Sequence, residues 1–386
     1  YIREMYTTQP SYWEKATFLS NIDIAIVGAG LVGTSASIYL KKKYPKAKVV
    51  IFDRAFISSG ASTKNAGFAC FGSISELLED MKSNSHEEIF SLLERRYSGM
   101  MNLLDLCGEE NLDFEQKGGF EVFTNSDDTF AKVCVDQIAY FNFQTKSITG
   151  LDLTYEVTTD KIDSDKLNNI STCIINNAEG QLNPGRMMQR LYAIASELGV
   201  LFYNGVEVRS FKTNTNGASL HLVNGWIVEA NKLLVANNGF ARKLLPELEL
   251  ETVRNQVLVT NQIPNLSIAG AYHMHQGYFY FRDIDSRVLI GGGRHLDKVG
   301  ETTDAFGNNT LIESALLELL DSVILKDKPY KIEHKWSGIL GVGPHKQPIM
   351  KQHSEHVYLA VRLGGMGVAI GSDVGFTLAQ LIEETY

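Results

Sequence analysis

Two short apolar runs, 22–27 and 49–52, read as buried strands, and 34–43 between them carries apolar residues at helical spacing. Helical periodicity returns at 74–81, 87–107 and 128–142, with a shorter helical or irregular piece at 160–170, while 118–124 reads as a strand. Asn183-Pro184 predicts a helix start, with Asn as N-cap and Pro in the first helical position. Met187, Met188, Leu191, Ile194, Ala195 and Leu198 make its apolar face, the methionines as core filling, and Gly199 closes it. Strand 200–203 follows. Asn224-Gly225 between 220–223 and 226–228 signals a hairpin, and 233–236 reads as a further buried strand. Strands are again predicted at 256–261, 277–282 and 287–291. In the second of these, period-two alternation sets Tyr278, Tyr280 and Arg282 on one face and Phe279 and Phe281 on the other. An amphipathic helix at 311–325, a strand at 357–361 and a helix at 374–382 end the pattern, and the polar, aromatic residues 1–20 are expected to pack on the body as an arm.

The turn between the first strand and helix carries chemistry. It reads Gly28-Ala29-Gly30-Leu31-Val32-Gly33, and Asp53 stands twenty residues beyond Gly33. Gly28 permits a tight turn, Gly30 lets backbone approach a pyrophosphate, and Gly33 allows close helix–strand packing. The helix N-terminus offers N–H groups to phosphates, and the acid accepts hydrogen bonds from ribose hydroxyls. This fingerprint does not choose between FAD and NAD. Residues 60–67, small and polar, follow the strand that ends in Asp53 and are placed for a cofactor contact. A second glycine-rich strand-to-helix turn, 362–368, would grip the far end of an extended cofactor such as FAD, which NAD enzymes need less.

Composition narrows the field. A length of 386 residues favours two domains, and 44% hydrophobic with 21% charged residues is ordinary for a soluble globular protein. A net charge of −9 supplies no basic field for nucleic acid or anionic membrane. Residues 22–40 approach membrane-spanning length, but the glycine spacing, Asp23 and the Lys41-Lys42-Lys43 run argue against a signal or integral membrane segment, and a cytoplasmic location is expected. Cys70, Cys107, Cys134 and Cys173 form no CxxC and read as unpaired thiols. His273 with His275, on one face if they lie in a strand, and His353 with His356 lack a third ligand, so no metal site is expected. No G-x-S-x-G elbow appears.

Over nearly its whole length the chain resembles the D-amino-acid-oxidase-like superfamily of FAD-dependent oxidoreductases. Gly28 to Gly33 with Asp53 matches its ADP-binding βαβ, where Glu is the commoner acid. Residues 60–67 look like its GAS-x-R-N-x-G loop, with Lys64 in the Arg position; 180–184 is similar to the start of its middle helix. Trp336-Ser337-Gly338 and Gly364-Gly365-Met366-Gly367-Val368 look like its flavin-binding turns. Within the superfamily the chain looks closest to glycine oxidase and gamma-glutamylputrescine-oxidase-like members, and to the latter through Tyr278 to Arg282 followed by 289–293 and through Ser11-Tyr12-Trp13 with Glu14.

The resemblance implies an α/β fold, with a Rossmann-like FAD-binding domain of GR2 type over 18–90, 171–240 and 335–386. It implies a second, α+β antiparallel-sheet substrate domain over 91–170 and 241–334. Non-covalent FAD would be held by Gly28, Gly30, Leu31, Val32, Gly33, Asp53 and Arg54; by Ala61, Ser62, Lys64, Asn65, Ala66 and Gly67; by the backbone at Val208; and by Gly338, Gly364, Gly365, Met366, Gly367 and Val368. The expected reaction is oxidation of the C–N bond of a small amine or amino acid, by hydride transfer to flavin N5, giving an imine that water hydrolyses. Tyr278 and Tyr280 are candidates to orient substrate, and Arg282 or Arg294 to meet an anionic group. Two departures stand out: no Arg follows Trp336-Ser337-Gly338 to bind a substrate carboxylate, and the strand at 288–292 lacks the Lys that activates oxygen in sarcosine-oxidase-like members. The electron acceptor is therefore oxygen or a quinone or other carrier. Two alternatives stay open at this level, a non-catalytic flavin-binding subunit of a larger dehydrogenase and an NAD-dependent dehydrogenase.

Overall fold

The computed structural model describes residues 9–382, which form two compact units. The first takes in 9–63, 185–252 and 340–382, and the second 64–184 and 253–339. Residues 64–90, 171–184 and 335–339, expected with the nucleotide half, lie in the second unit; 241–252, expected with the substrate half, lies in the first.

At the centre of the first unit is strand β1 (Ile22–Val27), apolar at almost every position because both faces are covered. It pairs in parallel with β2 (Val49–Asp53) on one side and Ile227–Val235 on the other. The sheet runs Ile349–Ser354, Val357–Val361, Ile227–Val235, β1, β2, Leu201–Asn204, and the hairpin strands Val208–Asn214 and Gly217–Leu222 extend from Ile227–Val235. The hairpin at Asn224-Gly225 forms as expected, but 226–228 and 233–236 are one strand. Its outer half alternates exposed and buried against the hairpin, and its inner half is apolar beside β1, so the polar residues between look like a break.

Helix α1 (Leu31–Lys43) returns from β1 towards β2, and the helix Gly367–Gln380 packs on it. A Cβ at Gly375 would stand 2.9 Å from both Val32 O and Ala36 N, so the two helices approach at backbone distance. This helix starts seven residues before the expected 374, because its glycines weaken the local helical signal while permitting that approach.

The second unit is built on a sheet in the order Ile332–Val342, Glu251–Thr260, Arg287–Gly292, Phe279–Ile284, Ala271–Met274, Gly119–Thr124, Ile170–Asn176, Tyr155–Val157. Its assigned pairs are antiparallel except Ala271–Met274 with Gly119–Thr124. The period-two reading holds for 279–282, while Tyr278 lies in the turn before the strand. Phe279 and Phe281 enter the core, where Phe281 stacks on Tyr272 with ring centroids 4.5 Å apart, and Tyr280 faces the other side. Strands 155–157, 170–176 and 271–274 escape the pattern, being short or interrupted by Ser171-Thr172 and His273. The helix read at 128–142 is two, Asp128–Asp136 and Ile138–Thr149, joined at Gln137.

Residues 1–8 of the arm lie outside the described residues. Of the rest, only the end is tied down, by Lys48 Nζ donating to Thr17 O and Ser20 O and by Tyr203 Oη donating to Phe18 O. Tyr12 and Trp13 are 75% and 73% exposed, so they do not pack on the body as expected. The four cysteines are buried and unpaired. Among the described residues no helix is long and apolar enough to cross a membrane, and the 22–40 run resolves into β1, the turn and most of α1.

Candidate functional site

In the first unit the glycine turn is shaped by contacts no side chain would permit. Gly28 sits at φ +110°, and a Cβ there would stand 2.8 Å from Ala236 O. A Cβ at Gly33 would overlap the Gly28 carbonyl oxygen, so α1 rests directly on the turn. Asp53 closes over it: Oδ2 accepts from Ala29 N at 2.9 Å and Oδ1 from Ala55 N at 2.9 Å. Each carboxylate oxygen keeps a further lone pair for a ribose hydroxyl. Ser62 Oγ accepts from Leu31 N at 2.8 Å, so a hydroxyl stands at the mouth of α1 where an anion would sit. Gly30 makes room for that hydroxyl, since a Cβ there would come within 2.9 Å of Ser62 Oγ. The turn also leans on Tyr192, whose hydroxyl donates to Ala29 O at 2.9 Å. Tyr192 was not legible as a site residue, because in sequence it is one more polar position of the 184–197 helix.

Val206 N donates to Asp53 O at 2.9 Å, which brings the segment leading to buried Val208 beside the acid. The Arg54 guanidinium lies over the Phe240 ring, 3.9 Å from its centroid. The second glycine turn belongs to the same unit. Asn238 Oδ1 accepts from Arg362 N at 2.9 Å and Leu363 N at 3.3 Å, and Gly364 N donates to Gly341 O at 3.0 Å. Met366 caps the helix that Gly367 and Val368 begin, and a Cβ on Gly365 would have no atom within 4 Å.

Within the 60–67 segment Ala61 and Ser62 belong to the first unit, and from Lys64 onward the remaining candidates lie in the second. Ala61–Lys64 is a short helical turn, after which Asn65 Oδ1 accepts from Gly67 N at 2.8 Å. Trp336 Nε1 donates to Lys64 O at 2.9 Å, and Gly338 lies beside Lys64. Trp336-Ser337-Gly338 is not a turn, as the resemblance suggested, but part of strand Ile332–Val342. Phe68 meets the rings of His273 and Tyr280 edge-on, at centroid distances of 5.2 and 5.3 Å. Tyr280 Oη accepts from Asn255 Nδ2 at 3.1 Å, and burial holds the phenol's pKa above its ordinary value. Tyr278 is 37% exposed beside the His295 ring.

Arg282, a candidate substrate cation, lies among backbone carbonyls. It is 6% exposed, and Nη1 donates to Ala66 O, Gly67 O and Leu182 O at 3.2, 2.9 and 2.8 Å, with Nε donating to Asp283 O at 3.1 Å. It braces the loop through Ala66 and Gly67. Arg294, half-buried in the Arg294–Asp297 turn, makes no hydrogen bond or ion pair with the described residues. His273 and His275 do not share a face, because the strand ends at Met274 and His275 turns outward at φ +49°.

A family profile described as FAD dependent oxidoreductase (DAO) matches residues 23–381, and the chain belongs to that family. It is an FAD-dependent oxidoreductase, and the glycine turn closed by Asp53, whose carboxylate oxygens keep lone pairs for ribose hydroxyls, fits the nucleotide end of the cofactor. A probable oxidoreductase, OrdL, of Haemophilus influenzae is 20% identical over 386 residues, covering 95% of this chain and 84% of the relative. Among solved structures, glycine oxidase from Bacillus cereus superposes with TM-score 0.74 at 20% identity, covering 93% of this chain and 94% of the other. Iminodiacetate oxidase from a Chelativorans species does so at 0.73 and 18%, covering 93% and 94%. The last two likenesses establish the fold.

Proposed function

We propose that this enzyme oxidises the C–N bond of a small amine or amino acid to an imine, which water then hydrolyses. The observation that carries the reading is the Asp53 carboxylate fixed over the glycine turn, where it can receive ribose hydroxyls of non-covalent FAD. Two structural relatives act, by name, on glycine and iminodiacetate, both of which join an amine to a carboxylate. Bound FAD supplies the hydride acceptor at flavin N5.

The chain's own residues do the rest. Gly28 to Gly33 and Asp53 hold the nucleotide end, and the turn at Gly364 to Val368 offers backbone to the rest of the cofactor. Phe68, Tyr280 and Trp336 give one face of the second sheet an apolar wall that excludes water, and Tyr278 with Tyr280 orients the amine. Hydride transfer from a neutral amine needs positioning rather than a strong base. With Arg282 held by carbonyls, Arg294 is the cation we assign to a substrate carboxylate.

The test is an absorbance spectrum of the purified protein followed by anaerobic addition of amines and amino acids. Flavin bands are expected to bleach with a carboxylate-bearing amine, and Arg294→Gln should raise KM about tenfold or more for that compound while barely changing a simple amine. Bands that persist with every compound would sink the catalytic reading, and a protein that takes up no FAD would sink the site.

Gly365→Ala separates cofactor contact from folding. The new methyl meets no protein atom within 4 Å, so the thermal midpoint should stay within about 2 °C of wild type. FAD affinity, read by flavin fluorescence on dilution, should nevertheless fall about tenfold. Unchanged affinity would remove Gly365 from the cofactor site.

A further inference from the structure

A polar cluster in the second unit has no part in the chemistry above. The ribbon of Phe68–Ala69 and Gly180–Gln181 pairs Phe68 with Gln181 and Ala69 with Gly180, and its next step sets Cys70 opposite Glu179. Both are 2% exposed, and His273, in strand Ala271–Met274, is 8% exposed. The Cys70 Sγ, a Glu179 carboxylate oxygen and a His273 ring nitrogen lie within 4.8 Å of one another, the one such cluster among the described residues. Glu179 and His273 are held from behind, and the Cys70 thiol donates to Gly180 O at 3.8 Å. Glu179 Oε1 accepts from Phe71 N at 2.7 Å and Gly72 N at 3.0 Å, and the Phe68 ring fixes the plane of His273. Glu179 Oε2 occupies space that only a glycine at 119 leaves open, since a Cβ there would overlap it.

We propose that Cys70, Glu179 and His273 bind one divalent cation of the zinc class, with a fourth coordination position left to water. The donor set decides the class. One sulfur, one imidazole nitrogen and one carboxylate oxygen suit Zn2+, whereas magnesium and calcium take oxygen alone. Zinc bonds of about 2.0–2.3 Å at tetrahedral angles put donor atoms about 3.5 Å apart. Donor atoms that lie within 4.8 Å of one another therefore draw together by at most about 1.3 Å on binding. The Phe71 and Gly72 N–H groups then serve as outer partners that aim the carboxylate.

Binding is a ligand exchange without redox change: a metal–sulfur bond replaces the Cys70 S–H bond, and the proton passes to the buffer. Ligation needs the thiolate, so zinc uptake strengthens as pH rises. The ion ties the short ribbon to the main sheet behind Tyr280, which pairs with His273 across the strands.

The test uses FAD-loaded protein, stripped with chelator and dialysed against micromolar Zn2+, with metal counted by atomic spectroscopy and its neighbours read by zinc-edge X-ray absorption. The expected result is about one zinc per chain, with one sulfur neighbour at about 2.3 Å and nitrogen or oxygen at about 2.0 Å. Cys70→Ser and His273→Gln should abolish uptake, whereas exposed His334→Gln should retain it. Wild-type protein that takes up no zinc, that binds it through nitrogen and oxygen alone, or that keeps it after Cys70→Ser would overturn the proposal. Should Cys70→Ser fail to fold, the sulfur neighbour in wild type still decides, because the other cysteines belong to no such cluster among the described residues. None of these readouts depends on turnover, so the site stands or falls apart from the amine-oxidation reading.

Discussion

Gly33→Ala is expected to give a protein that purifies nearly free of flavin. Propensity alone argues the opposite, because Ala in place of Gly inside α1 favours the helix by about 1 kcal/mol. Sterics decide against it. The added methyl would overlap Gly28 O and stand 3.2 Å from Gly28 C and Ile26 Cγ2, and the first of these is backbone that cannot rotate away. Relief requires α1 to lift from β1, an overpacking cost of about 1–3 kcal/mol. The lift also moves the first helical N–H groups and the Ala29 N–H that Asp53 accepts, so the cofactor loses its seat along with the helix. We expect FAD affinity to fall about 100-fold or more, equivalent to about 2.7 kcal/mol, read as flavin-to-protein ratio after desalting. The thermal midpoint of the apoprotein should fall as well. A variant that keeps its flavin and melts higher, as propensity alone would have it, would show that α1 does not rest on the turn.

This part of the molecule was legible because its physics is local. A tight turn, a close helix approach and an acid at the end of the next strand each leave their mark at a fixed offset. The features that escaped are those whose partners lie far along the chain. Tyr192 steadies the turn from 163 residues away, and Asn238 anchors the Arg362 turn from 124 residues away. Nothing beside either residue announces its partner. Strand Ile227–Val235 looked like two because its environment changes midway, from a half-exposed hairpin to a buried parallel ladder. The Gly367–Gln380 helix looked short because glycines that serve packing on α1 resemble a loop. Cys70, Glu179 and His273 are remote in sequence and meet only through a two-residue ribbon and a four-residue strand.

Arg282 shows the same limit in a residue whose role sequence did suggest. An arginine on the ligand-facing side of a strand invites a carboxylate, yet its acceptors are carbonyls 216, 215 and 100 residues away. Burial lowers its pKa from the ordinary guanidinium value, with nearby carboxylates, Asp283 first among them, acting in the opposite direction. Arg282→Met should therefore act on stability first. It leaves the carbonyls of Ala66 and Leu182 without this donor in a buried place and takes one of two donors from Gly67 O, which still accepts from Leu182 N, at a total cost of about 3–5 kcal/mol. The thermal midpoint should drop by about 5–15 °C. Arg282→Lys, which keeps the charge but not the fork, should fall in between. Both variants should also loosen the loop through Asn65, Ala66 and Gly67, so flavin retention falls with stability. A substrate-gripping arginine makes the reverse prediction, a raised KM with an unchanged midpoint, which is what we expect of Arg294→Gln. If Arg282→Lys raised KM tenfold and melted like wild type, the two arginines would exchange roles, and the carboxylate would sit on the loop rather than at the Arg294 turn.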